Sequence, residues 1–183
     1  MLRSRIIPVL LISNSGLVKS KRFKNYKYVG DPLNAVRIFN EKSVDELIII
    51  DIDATRNSRD PDFPLISNLA SQCRMPVCYG GGIKSVKTID KLLSLGVEKV
   101  AIGSAAFENT SLIREASLKV GSQSIVVILD YKKLKFGRSD DLNCFINNGK
   151  VNTCVNLFEA AENFYKLGAG ELVIQSIERD GMK

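Results

Sequence analysis

Histidine is absent from the 183 residues. No imidazole can therefore serve as general base, metal ligand or pH switch. Acid–base chemistry falls to Asp, Glu, Lys, Tyr or Cys. The four cysteines, Cys73, Cys78, Cys144 and Cys154, show no C-x-x-C pairing, which argues against zinc ribbons and redox motifs. Scattered cysteines in a chain of this size are expected as reduced thiols, and with them a cytoplasmic location. No apolar run approaches the ~18 residues needed to span a membrane. The start, Met1 to Arg5, leads into a seven-residue apolar run with a proline, so neither a signal peptide nor a membrane association is expected.

What is present is ordinary for a globular domain: 45% hydrophobic and 25% charged residues. The length suits a single domain or part of a larger one. The net charge is +6, and much of the excess lies in Lys19, Lys21, Arg22, Lys24 and Lys27. Phe23, Tyr26 and Tyr28 interleave there. Such a segment is open to three readings: a solvated loop, a loop closing over a small anion, or a nucleic-acid contact. On these residues alone all three stay open; a phosphorylated small molecule, with no nucleic acid, is expected only from the family resemblance given below.

Six short apolar runs recur, at residues 6–12, 47–52, 76–79, 99–102, 125–129 and 172–174. Continuous β-branched runs without alternation mark strands buried on both faces. Helical patterns lie between them. One opens at Asp31-Pro32, a capping residue followed by proline at the first helical position. Another runs from Ser85 and stops at Gly96, and a third covers roughly residues 155–167. Residues 131–150 are too polar and too rich in Gly and Asn for a helix, and a hairpin is expected there.

Strand–helix repetition predicts a parallel sheet with crossover helices. The dinucleotide fingerprint G-x-G-x-x-G is absent, which favours a (βα)8 barrel over an open doubly wound sheet. An internal echo supports this: residues 6–11 align with 125–130, and 46–49 with 171–174. The expectation is one partial barrel domain over 1–183, with one half-barrel at 1–120 and the start of a second at 121–183. Six strands are too few to close, and a full barrel typically needs about 250 residues. The expected fold is α/β, an incomplete barrel of about six βα units.

Active sites of such barrels lie at the C-terminal strand ends. Leu11, Asp51, Asp53, Gly80 to Gly82, Gly103-Ser104, Asp130 and Asp180-Gly181 fall there. Three successive glycines let backbone N–H groups approach an anion, although a tight βα turn would also explain them. Asp130 ends an otherwise apolar strand. It could cap a helix or pair with Lys132; as an acid–base residue, its burial would raise its pKa toward neutrality. At the opposite rim, Arg5, Glu46, Lys99 and Glu171 each begin a strand. Two cations and two anions there could form a ring of salt bridges around the axis.

These residues bring a family into view. MLRSRIIPVL at the start, Gly30-Asp31-Pro32, DELIIIDIDAT at 45–55 and VCYGGGI at 77–83 resemble the cyclase subunit of imidazole glycerol phosphate synthase. So do EKVAIGSAAFENTSLI at 98–113, GSQSIVVILD at 121–130 and GAGELVIQSIERDG at 168–181. The resemblance implies a (βα)8 barrel paired as a heterodimer with a glutaminase of the HisH type. Ammonia from the glutaminase would pass through the barrel to a phosphoribulosyl-formimino aminoimidazole carboxamide ribotide. Imidazole glycerol phosphate and an aminoimidazole carboxamide ribotide would leave, with no metal or organic cofactor. It implies Asp130 as general acid–base residue and Lys19 as the loop lysine. Gly82 and Ser104 would form the first phosphate site, beside Asp51, Gly81, Gly103, Asp180 and Gly181 as further substrate contacts. Arg5, Glu46, Lys99 and Glu171 would form the ammonia gate.

The departures are specific. Leu11 stands where the family has a second catalytic aspartate, and Gly103 where it has an asparagine that helps hold phosphate. The segment from Ser20 to Tyr28 is unusually basic, and the second phosphate site on strands seven and eight has no counterpart in these residues. The chain also resembles diverged paralogues associated with lipopolysaccharide biosynthesis, which supply ammonia for amidation of a sugar. A non-catalytic scaffold that docks a glutaminase is a third expectation.

Overall fold

The computed structural model describes residues 3–134 and 141–182. The chain runs β1 (Val9–Ser13), β2 (Gly16–Lys21), β3 (Lys24–Gly30), α1 (Pro32–Lys42), β4 (Leu47–Asp51), α2 (Ile52–Arg56) and α3 (Phe63–Gln72). It continues β5 (Val77–Gly80), α4 (Val86–Ser94), β6 (Lys99–Ile102), α5 (Ser104–Glu108), α6 (Ser111–Val120) and β7 (Ile125–Lys133). Then come β8 (Leu142–Ile146), β9 (Val151–Asn156), α7 (Leu157–Lys166) and β10 (Glu171–Ser176).

Six strands form the frame in the order β1-β4-β5-β6-β7-β10, each pair parallel. Among the described residues β1 and β10 do not pair, so the sheet curves without closing. This is a partial (βα)8 barrel. The helices start where their capping residues dictate. Asp31 accepts from the Asn34 N–H at 3.1 Å with Pro32 following it, and Ser85 accepts from the Thr88 N–H at 3.2 Å. Asn156 caps α7 by accepting from the Phe158 N–H at 2.8 Å. Residues 155 and 156, expected in that helix, belong to β9 instead.

Two antiparallel additions interrupt the frame. The basic segment after β1, expected as a loop, is the hairpin β2–β3, which extends the sheet at β1. After β7 the strand doubles back as β8 and again as β9. The hairpin expected over 131–150 is therefore a three-stranded meander reaching Asn156; its 135–140 portion lies outside the described residues. Asn147, Asn148 and Gly149 make the β8–β9 turn at positive φ, which Asn and Gly tolerate best.

Strand alternation separates two cores. Ile48, Cys78, Ala101, Val126 and Ile128 point inward and fill the barrel interior, with Ile7, Ile50 and Val173 beside them. Leu47, Ile49, Val100, Ile125 and Leu129 point outward beneath Val36, Leu69, Ile89, Leu92 and Ile113 of the helices. Each such side chain contributes roughly 1.5–3 kcal/mol on burial. All four cysteines are free thiols, and burial pushes Cys144 up to about 11. No helix among the described residues is long and apolar enough to cross a membrane.

Candidate active site

The inward parity places chemistry at both ends of one apolar interior. Glu46, just before β4, and Ile48 and Ile50 on it alternate onto one inner face, as do Glu171, Val173 and Gln175 on β10. Lys99 and Ala101 do so on β6, and Val126, Ile128 and Asp130 on β7.

At the lower end the structure brings the four expected rim residues together. Arg5 Nη1 donates to Glu46 Oε2 at 3.0 Å and Nη2 to Glu171 Oε1 at 2.9 Å. Lys99 Nζ donates to Glu46 Oε2 at 2.7 Å and to Glu171 Oε1 at 2.9 Å. Each cation thus bridges both anions in a ring of four. Glu46 is buried at 3% exposure, whereas the Arg5 side chain is 47% exposed. Burial disfavours the Lys99 ammonium, but its hydrogen bonds to Glu46 and Glu171 outweigh this, so its pKa is raised. Burial likewise works to raise Glu171, and hydrogen bonds from Lys99 and Arg5 bring it below the ordinary carboxylate value.

At the upper end lies a cleft of about 730 Å³, open to solvent. Leu11, Gly81, Gly103, Ser104, Asp130 and Gln175 border it. Asp130 Oδ1 is buried without a hydrogen-bond partner among the described residues. Burial, then the nearby negative charge of Asp180, raises the carboxyl to about 7. The group can take or give a proton near neutrality. Neither a helix cap nor an ion pair to Lys132 engages it; Lys132 Nζ donates instead to the Gly149 carbonyl at 2.6 Å.

Gly81, Gly82, Gly103 and Ser104 line a recess beside the cleft. A Cβ on Gly81, at φ +114°, would lie 2.3 Å from the Asp51 carbonyl oxygen, and one on Gly82, at φ +70°, 2.8 Å from that of Arg59. Only glycine fits this turn. Asp51 has the outward parity. Its Oδ1 accepts from the N–H groups of Asp53 and Ala54 at 3.0 Å, and its Oδ2 from Arg59 at 2.6 Å. Both oxygens are thus spent on capping α2 and on Arg59, although the residue borders the cleft. Asp53 Oδ2 accepts from Ser13 Oγ at 2.8 Å, fastening α2 to the end of β1.

Lys19 lies exposed on β2, opposite Lys27, and is not among the residues bordering the cleft. Asp180 and Gly181 hold the hairpin. Asp180 Oδ2 accepts from Ser20 Oγ at 2.7 Å and from the Phe23 N–H at 2.9 Å. Gly181, at φ +63°, passes where a Cβ would sit 2.2 Å from the Ser20 carbonyl oxygen. Thr55, Asn148 and Gln175 border the cleft without having been expected, and so do Phe23 and Tyr26, from the segment for which closure over a small anion was one of three open readings. Gln175 was readable from parity, two residues beyond Val173. Asn148 arrives through the β8–β9 turn, which no local pattern links to the site. Among the described residues no group of three His, Cys, Asp or Glu side chains could hold a metal ion.

The fold and site define a partial (βα)8-type barrel with an open cleft at the C-terminal strand ends. Residues 5–183 match the family model described as histidine biosynthesis protein, and the chain belongs to that family. It is 54% identical over 182 residues to a Vibrio vulnificus (strain YJ016) protein, covering 100% of this chain and 69% of the relative. A Leptospira borgpetersenii relative is 48% identical, with 99% and 70% covered. One from Pseudomonas aeruginosa is 48% identical, with 100% and 72% covered. These relatives carry the name "Putative imidazole glycerol phosphate synthase subunit", as hisF3, HisF and hisF2 respectively.

Proposed function

We propose that the chain is a cyclase-type subunit of imidazole glycerol phosphate synthase. Ammonia released by a HisH-type glutaminase enters past Arg5, Glu46, Lys99 and Glu171. It crosses the apolar interior, where an uncharged molecule meets no desolvation cost comparable to that of an ion. In the upper cleft it meets the phosphoribulosyl-formimino ribotide, one of whose phosphates occupies the recess of Gly81, Gly82, Gly103 and Ser104. Asp130 transfers protons as the imidazole ring closes and the aminoimidazole carboxamide ribotide leaves. One observation carries this reading: the ion ring and Asp130 lie on the same inward face of the strands, at opposite ends of one interior.

Leu11 favours a second reading. It borders the cleft where a partner carboxylate for Asp130 would stand, and leucine transfers no proton. A diverged paralogue that hands ammonia to a sugar for amidation, in lipopolysaccharide biosynthesis, would not need that carboxylate. The test is to supply the protein and its glutaminase with glutamine and the ribotide, and to separate the products by chromatography. Imidazole glycerol phosphate is the expected product. Glutamine hydrolysis with free ammonia and no such product would overturn the first reading; consumption of that ammonia by an added sugar acceptor would then favour the second, and its absence a non-catalytic scaffold that docks the glutaminase.

A further inference from the structure

The proposed chemistry leaves the basic tip of the β2–β3 hairpin unused. That tip borders two spaces that share no lining residue. Ser20, Phe23 and Tyr26 border the cleft, whereas Lys21, Arg22, Lys24 and Asn25 line a separate space of about 1150 Å³, open to solvent. Lys132 of β7 joins that lining from a second strand, with Ile177 and Glu178 from the segment after β10. Four cations therefore outnumber the one carboxylate in the lining.

Lys132 is fixed in place. Its Nζ donates to the Gly149 carbonyl at 2.6 Å and lies 4.4 Å from the centre of the Phe145 ring. Burial, then the charge of Lys24, lowers its pKa, and Glu178 offsets Lys24 only in part. The hairpin and β7 thus bring like charges close enough to repel. Glu178 does not neutralise them: none of Lys21, Arg22, Lys24 and Lys132 forms an ion pair among the described residues. The tip stays there because Asp180 holds it, its carbonyl taking the Arg22 N–H at 2.9 Å and its Oδ2 the Phe23 N–H at 2.9 Å. An anion between hairpin and β7 would turn this repulsion into attraction on both sides. An ammonium has three hydrogens, and Gly149 takes only one from Lys132.

We infer that this space is a second anion site, in which Arg22 and Lys24 of the hairpin and Lys132 of β7 hold a phosphoryl group, free or on a small molecule, that stays outside the cleft. The inference does not depend on the reaction proposed above. A planar guanidinium and two ammonium groups suit a phosphoryl dianion, since charge-assisted hydrogen bonds are the strong ones. Bound there, the anion ties the hairpin tip to β7 and fixes Phe23 and Tyr26 at the cleft edge. The site acts on the cleft from outside it.

The test is an NMR titration of backbone amides with inorganic phosphate, at an ionic strength held constant with sodium chloride. The Arg22, Lys24 and Asn25 amides should move along one saturating curve. In the double variant Arg22→Gln, Lys24→Gln the affinity read at Asn25 should fall at least about tenfold. Lys27→Gln, Lys133→Gln removes as much charge from β3 and β7 but outside the lining, and should change that affinity by less than about twofold. All four side chains are exposed, so both variants should fold. The Gly82 and Ser104 amides report the recess, and neither variant should alter their response, so each site can fail without the other. Ribose 5-phosphate separates the sources of the phosphoryl group. Tighter binding than phosphate assigns the site to an organic ester and equal binding to the free ion, and either keeps the site. Tip shifts that do not saturate, that chloride alone reproduces, or that both double variants weaken equally would show charge screening and overturn it.

Discussion

Ser20 Oγ donates to Asp180 Oδ2 at 2.7 Å across 160 positions of sequence. The same carboxylate oxygen takes the Phe23 N–H at 2.9 Å, and the Asp180 carbonyl takes the Arg22 N–H at 2.9 Å. The tip of the β2–β3 hairpin is thereby tied to the segment after β10, and Phe23 and Tyr26 are held at the edge of the cleft. Asp180 acts on the site twice: it positions the hairpin, and its charge helps raise Asp130.

Replacing Asp180 with alanine separates these effects from the rest of the fold. Two hydrogen bonds to a charged acceptor are lost, each typically worth about 1.5–3 kcal/mol. Amide exchange at Arg22 and Phe23 should accelerate by tenfold or more, while the β4 and β5 amides keep their protection. The Asp130 carboxyl should titrate lower, since a like charge has gone. Unchanged exchange at the hairpin tip would mean that other contacts hold it.

Asp130 should give the reaction a pH limb near 7, lost in Asp130→Asn together with about 10²–10⁴-fold of the rate. Stability supplies an independent check. The folded-state pKa of about 7 lies above the unfolded value of about 3.9, so the folded protein binds the extra proton between those values. This group's contribution is therefore most favourable below pH ~4 and is lost as the pH rises through ~7. Asp130→Asn should be more stable than the parent at pH 8, with the advantage gone by pH 4. Urea unfolding at both pH values measures it.

The lower ring predicts an asymmetry between its cations. Lys99→Met leaves buried Glu46 with Arg5 alone, whose side chain is about half exposed. The expected cost is about 1–3 kcal/mol, below that of a fully buried pair because Arg5 remains. Arg5→Ala should cost less, within about 1 kcal/mol, because solvent screens it. Glu171, held below its ordinary pKa, keeps its contribution above the unfolded value and loses it as the pH falls further. Equal losses from both substitutions would show that burial does not set the ring's energetics.

The parallel frame was legible because strands buried on both faces leave unbroken apolar runs, as at 47–52 and 125–129. The ring was legible for the same reason: Arg5, Glu46, Lys99 and Glu171 stand at fixed offsets from those runs. Asp51 was legible only as a carboxylate at a strand end: it borders the cleft and caps α2 at once, and the cap follows from its outward parity, shared with Leu47 and Ile49. The β2–β3 hairpin was hidden by its composition. β3 is largely exposed, β2 only at Lys19 and Lys21, both carry lysines instead of apolar alternation, and their order comes from pairing with β1 and from Asp180, 160 residues away from Ser20.

Leu11 and Asp130 both border the cleft, and position 11 is where a second carboxylate would complete an acid–base pair. Leu11→Asp tests which acceptor the ammonia has. Two carboxylates in one mouth disfavour joint ionisation, so the Asp130 pKa should climb beyond about 7 and the pH limb should move with it. Such a pair can hold one proton between two roles, one group donating while the other accepts. If the cleft cyclises a formimino ribotide, imidazole glycerol phosphate formation should rise by at least about tenfold from its starting level, within the range general acid–base groups supply. The rise should disappear in the double variant with Asp130→Asn. If glutamine is hydrolysed at the usual rate and the limb moves, yet no product forms, proton transfer has been restored without the acceptor it serves. The ammonia then goes to a different molecule, as the sugar-amidating reading requires.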